Sequence, residues 1–367
     1  MAGRRRRLIG GFLAAGALLV ALVVVVGPER MADSLARTDP VTFSLGFLAV
    51  LGAYWCWSEA LAQLLDRPDR AVGGARYRAA YMSAEFVKKV VPAGQAAGPL
   101  FLAYLVGRET DTPYETTLAA TTVLSFVNIG ASLVLASASL AWLVAAGTPP
   151  SGPVFYGLLL VLVVSVGAVF GLAVLVRTRR SLLEATAMGL AATVRRTLGR
   201  VSGRVEGALA PDRVRAAVER VSGAVDAVLA EWQAVAVAGA LCVGAWALAV
   251  APIYTSVLAL GVHVPYALVA FVVPLVVMIN VVPLPGGFGG FDVAVASLLS
   301  VLGGLSLPTA AAALFLYRLS NYWFVLLIGG LSSFALSVGV STIPPIAPEE
   351  GEETLHPGSE ADWPDID

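Results

Sequence analysis

The sequence predicts an all-α polytopic membrane protein: six full transmembrane helices plus two re-entrant helical hairpins, arranged as an inverted repeat. Three observations carry that prediction. Of 367 residues, 58% are hydrophobic and 13% charged, a balance foreign to soluble domains. Apolar runs of about twenty residues recur, the length a helix needs to cross the hydrocarbon core. Two further apolar runs are cut by proline and glycine, VVPAGQAAGP at 90–99 and VVPLPGGFGGFD at 281–292.

The full spans are expected at 8–27, 41–62, 116–146, 154–176, 232–260 and 308–340. The first follows Arg4 to Arg7 and so begins like a secretory signal. Its apolar stretch is too long for one and no small-residue cleavage site follows, so it reads as a helix. The segments 79–106 and 266–303 differ. Pro92, Gly94, Gly98 and Pro99 break the first; Pro283, Pro285, Gly286, Gly287, Gly289 and Gly290 break the second. Proline removes an amide donor and glycine permits sharp reversal. Each half-segment is too short to span, which favours a hairpin that enters and leaves by one face. Non-helical backbone at that depth must be buried in protein or face a wet cavity.

Charge sets the orientation. With both termini cytoplasmic and both hairpins re-entrant, nineteen arginines fall inside and only Arg30 and Arg37 outside, as the positive-inside rule requires. The chain then divides into a first half, 1–147, and an inverted second half, 148–340. Aligning PAG at 92–94 with PGG at 285–287 sets Asn128 opposite Asn321. Interrupted apolar segments at matching places in inverted halves point to a transporter's site. The stretch 177–231 repeats valine and leucine at helical spacing, through Val194, Leu198, Val201 and Val205 and again through Val214, Val218, Val221, Val225 and Val228. Two amphipathic helices are expected there, pairing with each other or lying on the inner leaflet, and a cytoplasmic partner could dock on them. The tail 341–367 holds eight acidic residues and no basic one, and is expected to be disordered.

Cys56 and Cys242 fall inside predicted helices, and His263 and His356 stand alone. No cofactor or metal is expected, since no ligand spacing occurs. Nor is an enzyme, in the absence of a nucleophile–base pair or phosphate loop. Nucleic acid is not an expected partner. The ionisable residues left inside the bilayer are Glu59, Glu85, Lys88, Lys89, Asp292 and Arg318. Such groups are costly there and usually face a cavity or a partner. Glu85 and Lys89 stand at i and i+4 and are expected to pair. Lys88, about 100° round the helix, is then the freer cation, unless it only snorkels to headgroups. Asp292 opens the second arm of its hairpin, where it can cap the helix. Arg318 lies roughly 15 Å into the last span and shares a polar face with Asn321 and Tyr322. Matching depths predict an Asp292–Arg318 contact. Glu59 follows YWCW, whose tryptophans read as interfacial belt residues.

PLPGGFGGFD followed by ALFLYRLSNYW, together with KKVVPAGQAAGPLFLAYLVGRE, resembles the two signatures of the lysylphosphatidylglycerol synthase transmembrane-region family. The resemblance spans most of 8–340. It implies an integral membrane protein, and the family includes flippase regions that move aminoacylated phospholipid between leaflets. The chain departs from the pattern at Gln95 to Gly98, where members carry a basic residue and a Gly-Glu pair. It has Asp292 where Glu is common. Only the acidic tail follows residue 340, so lysyl transfer is not implied. The expectation is a lipid translocase of the cell membrane, acting on a polar or anionic headgroup held by Lys88, Lys89, Asp292, Arg318, Asn321 and Tyr322. Helix N-termini at the breaks add positive dipole ends. A secondary transporter of a small solute and a non-transporting scaffold are the alternatives.

Overall fold

The computed structural model describes residues 36, 38–66, 72–90, 94–178, 223–279 and 290–336. Among them ten helices run in order: α1 Pro40–Leu65, α2 Gly74–Val90, α3 Gly94–Thr110, α4 Tyr114–Ala145, α5 Pro153–Thr178, α6 Trp232–Ala259, α7 Tyr266–Ile279, α8 Gly290–Gly303, α9 Leu307–Arg318 and α10 Phe324–Ala335. A π-helical turn, Leu319–Trp323, joins the last two. Five segments are long and apolar enough to cross a membrane, namely Pro40–Leu65, Tyr114–Ala145, Pro153–Gly171, Trp232–Ala259 and Leu307–Ala335. They coincide with five of the six expected spans. The sixth, at 8–27, lies outside the described residues, as do 179–222, 280–289 and the acidic tail.

Helix starts follow local chemistry. Asp39 caps α1 by accepting from the amides of Val41 at 3.2 Å and Thr42 at 3.1 Å, with Pro40 behind it in the first turn. The Thr42 hydroxyl, then the two amides, hold the Asp39 carboxyl below its ordinary pKa. Ser306 caps α9 in the same manner, accepting from Thr309 N at 3.3 Å. Leu160, Val163 and Phe170 of α5 and Phe334 of α10 are exposed, as suits helices meant to face lipid.

The four shorter helices form two pairs. α2 and α3 have 17 residues each, and α7 and α8 have 14 each. At 1.5 Å per residue these reach roughly 25 and 21 Å, short of a core of ~30 Å. Arg76, at the start of α2, meets Glu109, at the end of α3, at 3.2 Å. A Cβ on Gly303, at the end of α8, would lie 3.3 Å from Leu268 and Val264 at the start of α7. Each pair therefore brings its entry and exit together. One expectation needs correction: Gly98 and Pro99 do not belong to the first break. They lie within α3, because the helix has already begun at Gly94. Gly98 serves instead as a close-approach site, for a Cβ there would sit 2.8 Å from Lys88 Cε.

α1 and α6 run antiparallel. Asp39 N donates to Ala259 O at 2.9 Å, Gly46 lies on Thr255 and Pro252, and Gly52 lies on Leu248. Small residues let the backbones approach. The hairpins then cross over. First arm α2 packs on α10, and first arm α7 packs on α4; second arms α3 and α8 pack on α4 and α9. At the α2–α10 contact, a Cβ on Gly329 would stand 2.6 Å from the Met82 carbonyl oxygen and 2.7 Å from Phe86 Cβ. On the other side Leu133, Ala136 and Leu143 of α4 share a core with Leu268, Phe271 and Leu275 of α7. Of the amphipathic stretch 177–231, residues 223–230 are described and helical; Val228 is buried and Val225 packs beside it.

Candidate functional site

Where the hairpins and long helices converge, a cavity of about 390 Å³ opens, lined by residues of every helix from α1 to α9 except α5. α2 supplies its charge through Glu85, Lys88 and Lys89. Lys88 Nζ lies 2.5 Å from Glu85 Oε1, so the expected Glu85–Lys89 pairing is corrected to Glu85–Lys88. Spacings of three and four both bring an amine to the carboxylate's side of the helix. Packing makes the choice. The Lys88 stem is wedged against Gly98 of α3, whereas Lys89 Nζ leans 5.7 Å over the Tyr322 ring beside α10.

Aromatic rings line much of the rest of the cavity. Tyr54 and Trp57 of α1, Tyr81 of α2 and Trp246 of α6 all line the cavity. Trp57 Nε1 donates to Asn128 Oδ1 at 2.7 Å, and Trp246 Nε1 to the Asn128 backbone oxygen at 3.1 Å. Their rings meet edge to face, 6.2 Å apart. Of the two YWCW tryptophans, expected to be belt residues, one points outward and the other into the cavity. Trp55 is 54% exposed and stacks on Arg78, whose guanidinium carbon is 3.8 Å from the ring centroid. Trp57, two residues on and about 200° round the helix, faces inward. Glu59 binds Arg78 at 3.2 Å as a link between α1 and α2.

α8 and α9 hold the second charged pair. Arg318 Nε and Nη2 each donate to one oxygen of Asp292 at 2.8 Å. This is the bidentate fork that makes arginine–carboxylate pairs strong. The residues are 6% and 5% exposed. Phe291 and Tyr317 lie together on one side of the guanidinium, their centroids 5.6 and 5.8 Å from its carbon and 5.9 Å from each other, and those two rings line the cavity. Depth matching from the sequence found this pair. It did not show that the rings stand between the pair and the cavity.

Among the residues expected to hold a ligand, Lys88, Lys89 and Asn321 line the cavity, while Asp292, Arg318 and Tyr322 pack behind its surface. Asn321 and Tyr322, being consecutive, stand about 100° apart, and the π turn shifts both relative to Arg318. A π turn is wider than an α turn and re-aims the side chains it carries. Asn321 donates to the Tyr317 hydroxyl at 2.5 Å, and Tyr322 is buried with Val90 and Leu326. Gly94 and Gly290 open α3 and α8. Pro92, Pro283, Pro285, Gly286, Gly287 and Gly289 lie outside the described residues. Tyr54, Tyr81 and Trp246 were not singled out from the sequence. Their only signal is a polar-tipped ring inside an apolar span, which periodicity does not separate from core packing. The described residues contain no cluster of metal-ligating side chains.

Apolar helices enclosing a charged, aromatic-walled cavity define a multi-pass helical membrane protein with an internal polar site. Residues 8–329 match the family model described as the lysylphosphatidylglycerol synthase TM region, and the chain belongs to that family. No curated protein matches it.

Proposed function

We propose that the protein is a lipid translocase of the cell membrane, moving a polar or anionic headgroup between leaflets through the cavity. The observation that carries this reading is the placement of Glu85, Lys88, Lys89 and Asn321 on a cavity bounded by both helix pairs, in a member of a lipid-related membrane family. The crossed packing of α2 on α10 and α7 on α4 supports an inverted repeat with two re-entrant hairpins. In such a repeat the halves can rock about a fixed site. Both termini are cytoplasmic in this reading, membrane lipids are the partners, and a cytoplasmic partner docks on 177–231. No covalent step belongs to it.

In this mechanism Lys88 and Lys89 attract the headgroup, the aromatic wall and Asn321 orient it, and the Asp292–Arg318 fork keeps α8 and α9 rigid behind them. The test is a leaflet-accessibility assay with fluorescent lipid in vesicles containing the purified protein. Protein-dependent exposure of inner-leaflet lipid is expected. Solute uptake without lipid movement would establish a small-solute transporter instead. Cysteines placed at Ser151 and Ser202 should be labelled from opposite faces.

A further inference from the structure

Of the 24 basic residues only two are lysines, Lys88 and Lys89, and both line the cavity. The charges around them do not cancel. Glu85 is taken by Lys88 at 2.5 Å, and Asp292 by Arg318 at 2.8 Å. Among the described residues lining the cavity, the one carboxylate, Glu85, stands against two ammoniums, so a positive charge is left over there. Glu85 bonds Lys88, and the ring met by the Lys89 ammonium is Tyr322. A positive centre in a low-dielectric site draws an anion and repels a second cation.

Asn128 adds a second, independent element. An indole N–H can only donate, so the bond from Trp57 fixes Asn128 Oδ1 toward that ring. The Asn128 amide group then presents its two N–H donors elsewhere on a residue that lines the cavity. With Oδ1 bonded by Trp57 and the backbone oxygen by Trp246, the amide N–H groups are the polar atoms of this side chain that hold no bond among the described residues. Ammonium and amide together make a site for an oxyanion.

We infer that the cavity selects headgroups of net negative charge, with the anion held by Lys89 and the Asn128 amide, and rejects net-cationic, aminoacylated headgroups. The inference rests on the translocase reading of the same cavity and narrows its substrate class. The strongest opposing feature is the aromatic wall, since ring faces attract cations. Trp57 and Trp246 meet edge to face, so the edge of one ring already occupies a face of the other, and any cation there also meets Lys89.

The test uses the full chain in phosphatidylcholine vesicles carrying a trace of fluorescent phosphatidylglycerol or of its lysylated, net-cationic derivative. Phosphatidylglycerol should move at least about tenfold faster, the ratio that 1.4 kcal/mol of discrimination gives. K89Q should remove most of that preference, K89R should retain it, and E85Q should preserve or raise it. A second readout does not need transport: acylation of the lysines, followed by peptide mapping, with short-chain lipid present or absent. If no lipid moves but phosphatidylglycerol still shields Lys89, the translocase reading fails and the anion site stands. Shielding by inorganic phosphate at equal strength also supports the site, with a free anion as its ligand. Faster movement or better shielding by the lysylated lipid, or an unchanged preference in K89Q, overturns the inference.

Discussion

The two short helix pairs use charge in opposite ways. α2 carries Glu85, Lys88 and Lys89 on the cavity surface, where a ligand can meet them. α8 carries Asp292, and the second pair closes it against Arg318 behind Phe291 and Tyr317. The sizes of the groups account for part of this. A guanidinium donates a planar fork of N–H bonds and packs well on aromatic rings, so it tolerates burial with one carboxylate. A lysine ammonium is compact and strongly hydrated and keeps to the wet side. The same bilayer that makes both pairs costly thus sorts one into the scaffold and the other into the site.

The contact that keeps the pairs in place should be the most sensitive. Gly329 permits α10 to touch α2 at the Met82 carbonyl, a backbone atom that cannot swing aside. Gly329→Val is expected to abolish the folded state, read as loss of a monodisperse peak in detergent. Gly330→Val, whose Cβ would meet only Phe86 ring atoms at 3.6 Å or more, should be tolerated. If both variants behave alike, close helix approach is not what holds the first pair.

Next comes the buried fork. Asp292→Asn or Arg318→Gln leaves one charge without its partner, which costs about 3–5 kcal/mol in a buried site. The double variant should recover part of that in thermal unfolding. Lys89→Gln, at the open cavity, should leave the unfolding temperature nearly unchanged while altering lipid selection. An unstable Lys89→Gln, or a stable Arg318→Gln, would invert the division of labour drawn between the two pairs.

The sequence showed the charged residues but not this division, since Asp292 and Arg318 were expected to hold the headgroup beside the lysines, and what was legible differs residue by residue. Asp292 and Arg318 could be matched because depth along a helix follows from counting at 1.5 Å per residue. Five spans were legible because apolar length is a one-dimensional property. The partner of Glu85 was not, since Lys88 and Lys89 both fit by spacing and the choice came from Gly98, on another helix. Asn321 and Tyr322 were read as one face with Arg318, but consecutive residues point about 100° apart and a π turn shifts the count from Arg318. Trp57 looked like a belt residue because only its neighbour across the bundle, Asn128, reveals that it points inward.

The smallest effect is expected where the pairs open to solvent, and there too they differ. The mouth of the first is bridged by Arg76 and Glu109 at 3.2 Å, with Arg76 82% exposed. The mouth of the second is closed by apolar contact of Gly303 with Leu268 and Val264. The Glu109 side chain is 8% exposed, so solvent reaches the pair from the arginine side. That places it at the upper end of the about 0–1 kcal/mol of an exposed ion pair and leaves it open to weakening by salt. Glu109→Gln should therefore shift stability by less than about 1 kcal/mol, and raising salt should speed hydrogen exchange near the start of α2 but not of α7. Gly303→Val should do more, because its added carbons meet Leu305 and Leu268 side chains already at 3.1 and 3.3 Å. A large loss from Glu109→Gln, or equal salt sensitivity at both mouths, would show that the first pair is fastened there by more than this bridge.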